Sequence, residues 1–366
     1  MSKAVGSDPG TMFFQVAEKK EGQEGLTFTN VRNAFVELAD TEGVDDILAR
    51  NDWQYIKDGD VYYVIGDDAI QVANILPGKV EVRRPMADGV LNKNEDKKLI
   101  VLAEIIESSI GKAPDDNSWI CSCVSSESVD GSQDSVFHRQ RLEALYKRLG
   151  WNVKIIEEGH AVVLSERPTV VENGDEVAYS GIGLSFGAGR ANCVLCYRGL
   201  PVVGMSVARS GDWVDQQVSE QTGVPISQVI ATKEKKLDFD NIDYDDDVQF
   251  ALDAYYDQLI RYVFSHFAKK FAAEKTTFEV PLDVVVAGGT SMPNGFCGKV
   301  QKVINDLNLP FEVREVRHAK SPRTAVVEGL YVSANVAMNK AAKAKQAEPK
   351  KEEPAPEPKA EENNEG

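Results

Sequence analysis

Leu282-Asp-Val-Val-Val-Ala-Gly-Gly-Thr-Ser-Met-Pro-Asn-Gly295 decides how this chain is read. The β-branched run 282–287 has the composition of a buried strand. It stops on Gly288 and Gly289, where no Cβ keeps the backbone N–H groups from a ligand, and the end of a strand is where α/β proteins place ligands. Two more glycine turns lie upstream. Gly6-Ser-Asp-Pro-Gly-Thr-Met-Phe-Phe14 is a turn flanked by an apolar run, and Val177-Ala-Tyr-Ser-Gly-Ile-Gly-Leu-Ser-Phe-Gly-Ala-Gly189 is a second Gly-rich turn. A single glycine turn is usually only a tight hairpin, but three in one chain can converge on one phosphate-bearing ligand.

Strand-like and helix-like segments alternate, and the pattern occurs twice. The first half contains a strand at Trp119–Val124 and a helix from Gln133 to Leu149 with Phe137, Leu142, Leu145 and Leu149 on one face, ended by Gly150. The second contains a strand at Ala191–Tyr197, a helix from Val248 to Ala272 and the strand 282–287. This predicts two α/β lobes around a cleft: residues 1–165 with a small insertion at about 30–85, and residues 166–339 with a small insertion at about 212–270. From Lys340 to Gly366 large apolar residues vanish and Lys, Glu, Ala and Pro take over, so a disordered tail is expected.

Of 366 residues, 58 are Asp or Glu and 41 Lys or Arg, a formal charge of −17. The tail holds seven Glu and six Lys, so the acidity, about −16, belongs to the folded part. Such a surface repels phosphates, which excludes charge-driven nucleic-acid binding. It also predicts that any self-association strengthens with salt or divalent cations, because like-charged copies must approach within a Debye length of about 8–10 Å. No run approaches the roughly 18 apolar residues of a membrane span, and the N-terminus lacks a signal peptide's apolar stretch, so a cytoplasmic address is expected. Membrane attachment is disfavoured by the missing N-terminal amphipathic helix, although an apolar hairpin near Trp213 is one place where lipid contact could occur. Five cysteines are too few for a disulfide framework. Cys193-Val-Leu-Cys196 has zinc-knuckle spacing but sits inside a strand without a second pair, and reads as core; the four histidines have no metal-site spacing.

With these segments in view the chain resembles the actin family over nearly all of its length except the tail. Asp8-Pro-Gly-Thr11 resembles the first phosphate loop, and Ser185-Phe-Gly-Ala-Gly189 sits where the second belongs. Tyr197-Arg-Gly-Leu-Pro201 and Ala208–Asp215 resemble the segment leading into the second lobe. Lys233-Glu-Lys235 is similar to the Lys-Glu-Lys that reaches adenine and ribose, and Ala287–Gly295 to the adenosine loop. Gly66-Asp-Asp-Ala69 and Arg84-Pro-Met-Ala-Asp-Gly-Val90 resemble bacterial actins of the MreB type. The resemblance implies a duplicated, ribonuclease-H-like α/β actin fold with ATP or GTP and Mg²⁺ in the cleft. It assigns Asp8 to the metal, and Gly10, Thr11, Gly187, Gly189, Lys233, Glu234, Gly288, Gly289, Thr290 and Met292 to the nucleotide. Chemically, Asp8 is a hard oxygen donor suited to Mg²⁺, and Glu234 can accept from ribose hydroxyls. The plainer alternatives are a turn-capping Asp8, a solvated helix face at 233–236 and a simple tight turn at 288–289.

The chain departs from the family at the second phosphate loop. Ser185 stands where an aspartate normally helps order the attacking water, and Asn192 stands at the later polar position. Counting back from Gly150 puts His138 near the water-positioning residue, with Gln133, Asp134 and Gln140 as other candidates. His138 and Ser185 are therefore the catalytic candidates, and the missing carboxylate predicts slow hydrolysis unless a neighbouring acid replaces it. The expected function is a cytoskeletal protein that self-assembles head to tail into filaments with ATP and Mg²⁺. The alternatives are a non-hydrolysing nucleotide sensor or scaffold, a chaperone-type ATPase, for which only the tail follows where a substrate-binding region is needed, and a sugar or acetate kinase, which needs an acidic base in the cleft. The tail is either a solubilising bristle or a segment that meets an unknown protein partner.

Overall fold

A computed structural model describes residues 2–91, 96–130, 135–166, 169–172, 175–274 and 281–347. Strands β1 (Ala4–Pro9), β2 (Phe13–Glu18) and β3 (Thr27–Arg32) open the chain. A small three-stranded sheet follows, with β4 (Phe35–Ala39), helix α1 (Val44–Arg50), β5 (Tyr55–Asp58), β6 (Val61–Ile65) and helix α2 (Gly66–Ile75) around buried Leu48, Trp53 and Tyr62. The hairpin β7 (Met86–Ala87) and β8 (Val90–Leu91) then leads to α3 (Asp96–Ile110), β9 (Trp119–Val124), α4 (Ser135–Arg148), β10 (Asn152–Glu157) and α5 (Glu158–Glu166).

After the hairpin β11 (Thr169–Glu172) and β12 (Asp175–Ala178) the pattern starts again. The second series is β13 (Gly181–Phe186), β14 (Ala191–Tyr197), β15 (Leu200–Val207), α6 (Gly211–Thr222), α7 (Ile226–Lys235), α8 (Asp247–Ala273), β16 (Leu282–Ala287), a 3₁₀ turn at Gly289–Ser291, α9 (Phe296–Asp306), β17 (Val313–His318) and α10 (Ala325–Ala347).

The duplication lies in the pairing. The first sheet has order β10-β9-β1-β2-β3 and the second β17-β16-β13-β14-β15, each an antiparallel meander of three strands extended by two parallel ones. Parallel strands need crossover helices, so both faces of each sheet are covered and the strands read as apolar runs. β13 and β16 are buried throughout. The helix that ends each half packs on the other half's sheet: α5 on β13 and β14, α10 on β1 and β9. A shared core containing Cys121, Cys123, Val162, Val194, Cys196, Val285, Val327 and Leu330 thus lies between the sheets, with separate cores on their outer faces.

Several sequence expectations need correction. The tail does not start at Lys340: α10 continues through the Ala/Lys run to Ala347, residues of high helix propensity, and 348–366 lie outside the described residues. On α4 the inward stripe is His138, Leu142, Leu145 and Tyr146; Phe137 stands off it, only partly covered, with Arg141 over its ring. Gln133 and Asp134 lie outside the described residues. Trp213 is no hairpin: it sits on α6, packed edge-on against Tyr255 with Arg209 over its ring. Cys193 and Cys196 are buried free thiols, and no group of His, Cys, Asp and Glu among the described residues could hold a metal ion on its own. No helix among the described residues is long and apolar enough to cross a membrane.

Candidate functional site

Strand β1 ends in a turn in which the Gly10 amide donates to the Asp8 carbonyl at 3.0 Å, and Asn33 Nδ2 donates to the Gly10 carbonyl at 2.8 Å. The matching turn after β13 is closed by the Gly187 amide on the Arg190 carbonyl at 3.0 Å. Its Gly187 carbonyl is a junction, accepting from Ser210 Oγ at 2.6 Å and Thr290 Oγ1 at 2.8 Å, so the second turn is bolted to the start of α6 and to the third turn. That third turn, after β16, needs its glycine. Gly288 has φ 97°, and a Cβ there would sit 2.3 Å from the Phe186 carbonyl oxygen. Tyr256 Oη donates to the Thr290 carbonyl at 2.9 Å and completes its support from α8.

The three turns come from the C-terminal ends of β1, β13 and β16 and line one cavity of about 1000 Å³ between the lobes. Asp8, Gly10, Thr11, His138, Ser185, Gly187 and Gly189 lie along its floor, and Lys233, Glu234, Gly288, Gly289, Thr290 and Met292 along the second-lobe wall. All thirteen residues singled out in the sequence thus face one space. Ile230, Leu237 and Pro293 give the wall an apolar surface on which a flat ring can rest. Lys233 is already committed, its ammonium 2.6 Å from Asp215 with both side chains nearly covered. Glu234, beside it, is exposed.

One residue that the sequence reading passed over dominates the floor. Glu158, the first residue of α5, accepts from Ser185 Oγ at 2.6 Å and from Asn192 Nδ2 at 2.8 Å, one bond to each carboxylate oxygen. Burial, and then the charge of Asp8, raises its pKa well above the usual carboxylate range. Asp8 is raised too, by burial, against the opposing effect of the Cys123 thiol that donates to its Oδ1 at 3.3 Å. Ser185 therefore does not replace an acid; it orients one. His138 lies at the same floor, but burial lowers its pKa to about 4, and its Nδ1 accepts the Leu91 amide at 3.4 Å. At pH 7 it is a neutral ring whose single N–H, with Nδ1 accepting, is on Nε2. The signal for Glu158 was present in the sequence: a carboxylate immediately after the strand 152–157, at its ligand-facing end.

The lobes are joined across this floor. A Cβ on Gly189 would lie 2.8 Å from both the Gly89 amide and Thr11 Oγ1, so the second turn touches the first lobe directly. Buried Arg190 reaches from that turn to the Asp88 carbonyl at 2.7 Å, Ser128 Oγ at 2.9 Å and Ser206 Oγ at 3.0 Å. The first-lobe segment 127–129 continues along β15, with Ser206 donating to the Glu127 carbonyl and Val129 to the Ser206 carbonyl. Arg84 and Asp212 pair at 2.8 Å where the cleft opens.

The sequence model of the Volactin family matches residues 3–334. No curated protein matches the chain by sequence. Among solved structures, the MamK double helical filament superposes with TM-score 0.64 at 17% identity, covering 92% of this chain and 99% of that one. MreB 5 of Spiroplasma citri bound to AMPPNP gives TM-score 0.65 at 13% identity, with 94% and 99% covered, and its ADP-bound form gives 0.62 at 14%, with 93% and 99% covered. The chain belongs to the Volactin family and has the two-lobed fold of the MamK and MreB 5 structures.

Proposed function

We propose that this protein is a cytoskeletal actin homologue that binds a purine nucleoside triphosphate in the cleft, assembles into filaments in that state and hydrolyses the nucleotide through Glu158. The observation that carries this reading is the convergence of three strand-end turns and two carboxylates on one interlobe cavity. With the Gly10 and Gly187 amides closing their turns, the N–H groups of Thr11, Ala188 and Gly189 would meet the phosphates, and the wall from Ile230 to Leu237 with Met292 and Pro293 would accept the base. MamK forms a double helical filament and MreB 5 binds AMPPNP and ADP, which supports the same two behaviours here.

The donor set fits Mg²⁺. Asp8 is a hard oxygen ligand whose only side-chain hydrogen bond among the described residues is the weak one from the Cys123 thiol, which leaves capacity for a hydrated cation. Bound through Asp8, the metal would offset charge on the phosphate oxygens. The protein's own part in the reaction is positional. Ser185 and Asn192 fix both oxygens of Glu158, which holds the attacking water and takes its proton as the phosphoryl group leaves. Burial raises the basicity of that carboxyl, which takes the proton in its ionised form. Slow hydrolysis was expected from a missing carboxylate beside Ser185; Glu158 removes that ground.

Calorimetry with Mg²⁺-ATP and Mg²⁺-GTP, paired with light scattering, tests the reading. Wild type is expected to take up nucleotide and to sediment only with nucleotide and Mg²⁺. Asp8→Ala is expected to weaken Mg²⁺-nucleotide binding at least about 30-fold, or ~2 kcal/mol. No uptake by wild type, with Asp8→Ala behaving identically, rejects it.

A further inference from the structure

The second lobe carries exposed apolar side chains in two places, and the fold sets them at opposite ends. β14 starts at Ala191, beside the phosphate-type turn, and runs away from the cleft for seven residues, so the β14–β15 turn lies roughly 20 Å from the cleft floor. There Leu200 is 69% exposed, Tyr197 46% and Val202 42%, with Arg198 over the Tyr197 ring. A groove beside this hairpin is lined by Ile155, Ile156, Pro201 and Val202, with Arg139, His160 and a single carboxylate, Glu157. Apolar surface with basic groups is out of character on a chain of charge −17.

The other place is residues 238–250. Within 238–247 there are six aspartates and no Lys or Arg. Asp246 caps α8 and Asp238 is held by Asn241 and Asn294, whereas Asp243, Asp245 and Asp247 are exposed. Tyr244 is 65% exposed and Phe250 55%, their rings 6.2 Å apart. This loop is at the cleft end of the lobe: Leu237 and Asp238 line the cleft, and Asp240 lies against Gly295 of the third turn. α8 runs from it for 27 residues, about 40 Å, to Phe267 and Phe271, which pack on Phe311 ahead of β17, at the end of the sheet away from the cleft. One copy cannot bring the two places together.

We propose that the β14–β15 hairpin end of one copy receives the aspartate-rich, aromatic loop 238–250 of a second copy. This contact rests on the filament reading above and names its longitudinal interface. Tyr244 and Phe250 supply the aromatic anchors for Leu200, Val202 and the adjoining groove, and the aspartates meet Arg198 and Arg139, which fixes orientation and discourages hairpin-to-hairpin or loop-to-loop pairing. Because the two surfaces differ and lie at opposite ends, the contact is heterologous and repeats without closing.

Two full-length variants test it, Leu200→Glu and Tyr244→Ser/Phe250→Ser. All three sites are exposed, and surface substitutions of this kind usually change stability by only about 0.5 kcal/mol. With Mg²⁺-nucleotide, each variant alone is expected to raise the critical concentration at least about tenfold, equivalent to ~1.4 kcal/mol, with nucleotide uptake equal to wild type. Mixed in equal amounts they are expected to form 1:1 dimers in sedimentation velocity and no filaments, because each keeps the surface the other lacks. Assembly of either variant at the wild-type critical concentration overturns the contact, as does a mixture that stays monomeric while wild type polymerises. Wild type that binds no nucleotide and never sediments rejects the filament reading itself, and this contact falls with it.

Discussion

Glu158→Gln is expected to slow phosphate release by about 10²–10⁴-fold, the range for losing a positioned general base, while nucleotide affinity stays close to wild type. The amide keeps the size of the side chain and can accept from Ser185, but it cannot take a proton. Phosphate release under single-turnover conditions, with calorimetry on the same sample, separates the two effects. Unchanged turnover would transfer the role to another group on the floor. The same substitution carries a stability signature of known sign. The Glu158 carboxyl is raised from 4.5 to about 8, first by burial and then by Asp8. A carboxyl raised in the folded state contributes fully below the unfolded value and loses that contribution as pH rises through the folded value. Nucleotide-free wild type therefore carries a cost at pH 8 that Glu158→Gln does not. Since Glu158 lines an open cleft whose water screens it, the gain is about 1 kcal/mol, or ~2–4 °C in Tm. The gain should vanish near pH 5.

Gly329→Ala is expected to cost about 3 kcal/mol or more, a large share of the roughly 5–15 kcal/mol that holds a domain together. Gly329 lies where α10 crosses α5, and a Cβ there would sit 1.8 Å from the Ala161 carbonyl oxygen, a backbone atom that cannot swing aside. The helices would have to separate, and with them the two sheets they cover. Gly6 has the equivalent position on β1, its missing Cβ 2.4 Å from the Val327 carbonyl oxygen of α10. Gly298, inside α9 with nothing within 4 Å of its own missing Cβ, is the control; Gly298→Ala should be neutral or stabilise by about 0.5–1 kcal/mol. Urea midpoints decide the matter, and a Gly329→Ala protein as stable as wild type would show that the central helices pack more loosely than described.

The strands at 119–124, 191–197 and 282–287 were legible because burial on both faces leaves a nearly continuous apolar run, interrupted only by Ser122, Asn192 and Asp283. The glycine turns were legible because their backbone positions tolerate few other residues. Glu158 was missed because counting started from Gly150 and went backwards to α4, whereas the residue lies one strand further on, in a nine-residue helix with little amphipathic pattern. Arg190 was missed for a different reason. Its partners Asp88, Ser128 and Ser206 are distant in sequence, and only the folded lobes bring them to its guanidinium. Lys233 was assigned to the nucleotide through the Lys-Glu-Lys resemblance, and its ion-pair partner Asp215 stands eighteen residues upstream on another helix.

The struts across the floor have a temporal meaning. A wider opening of the cleft has to break Arg190 from the Asp88 carbonyl, Arg84 from Asp212 and the 127–129 segment from β15. Those ties yield together, so exchange of a ligand that needs the wider opening is slowed in both directions. In a growing polymer of the proposed kind, each subunit would keep the molecule with which it joined, and that molecule's state of hydrolysis would date the subunit's entry.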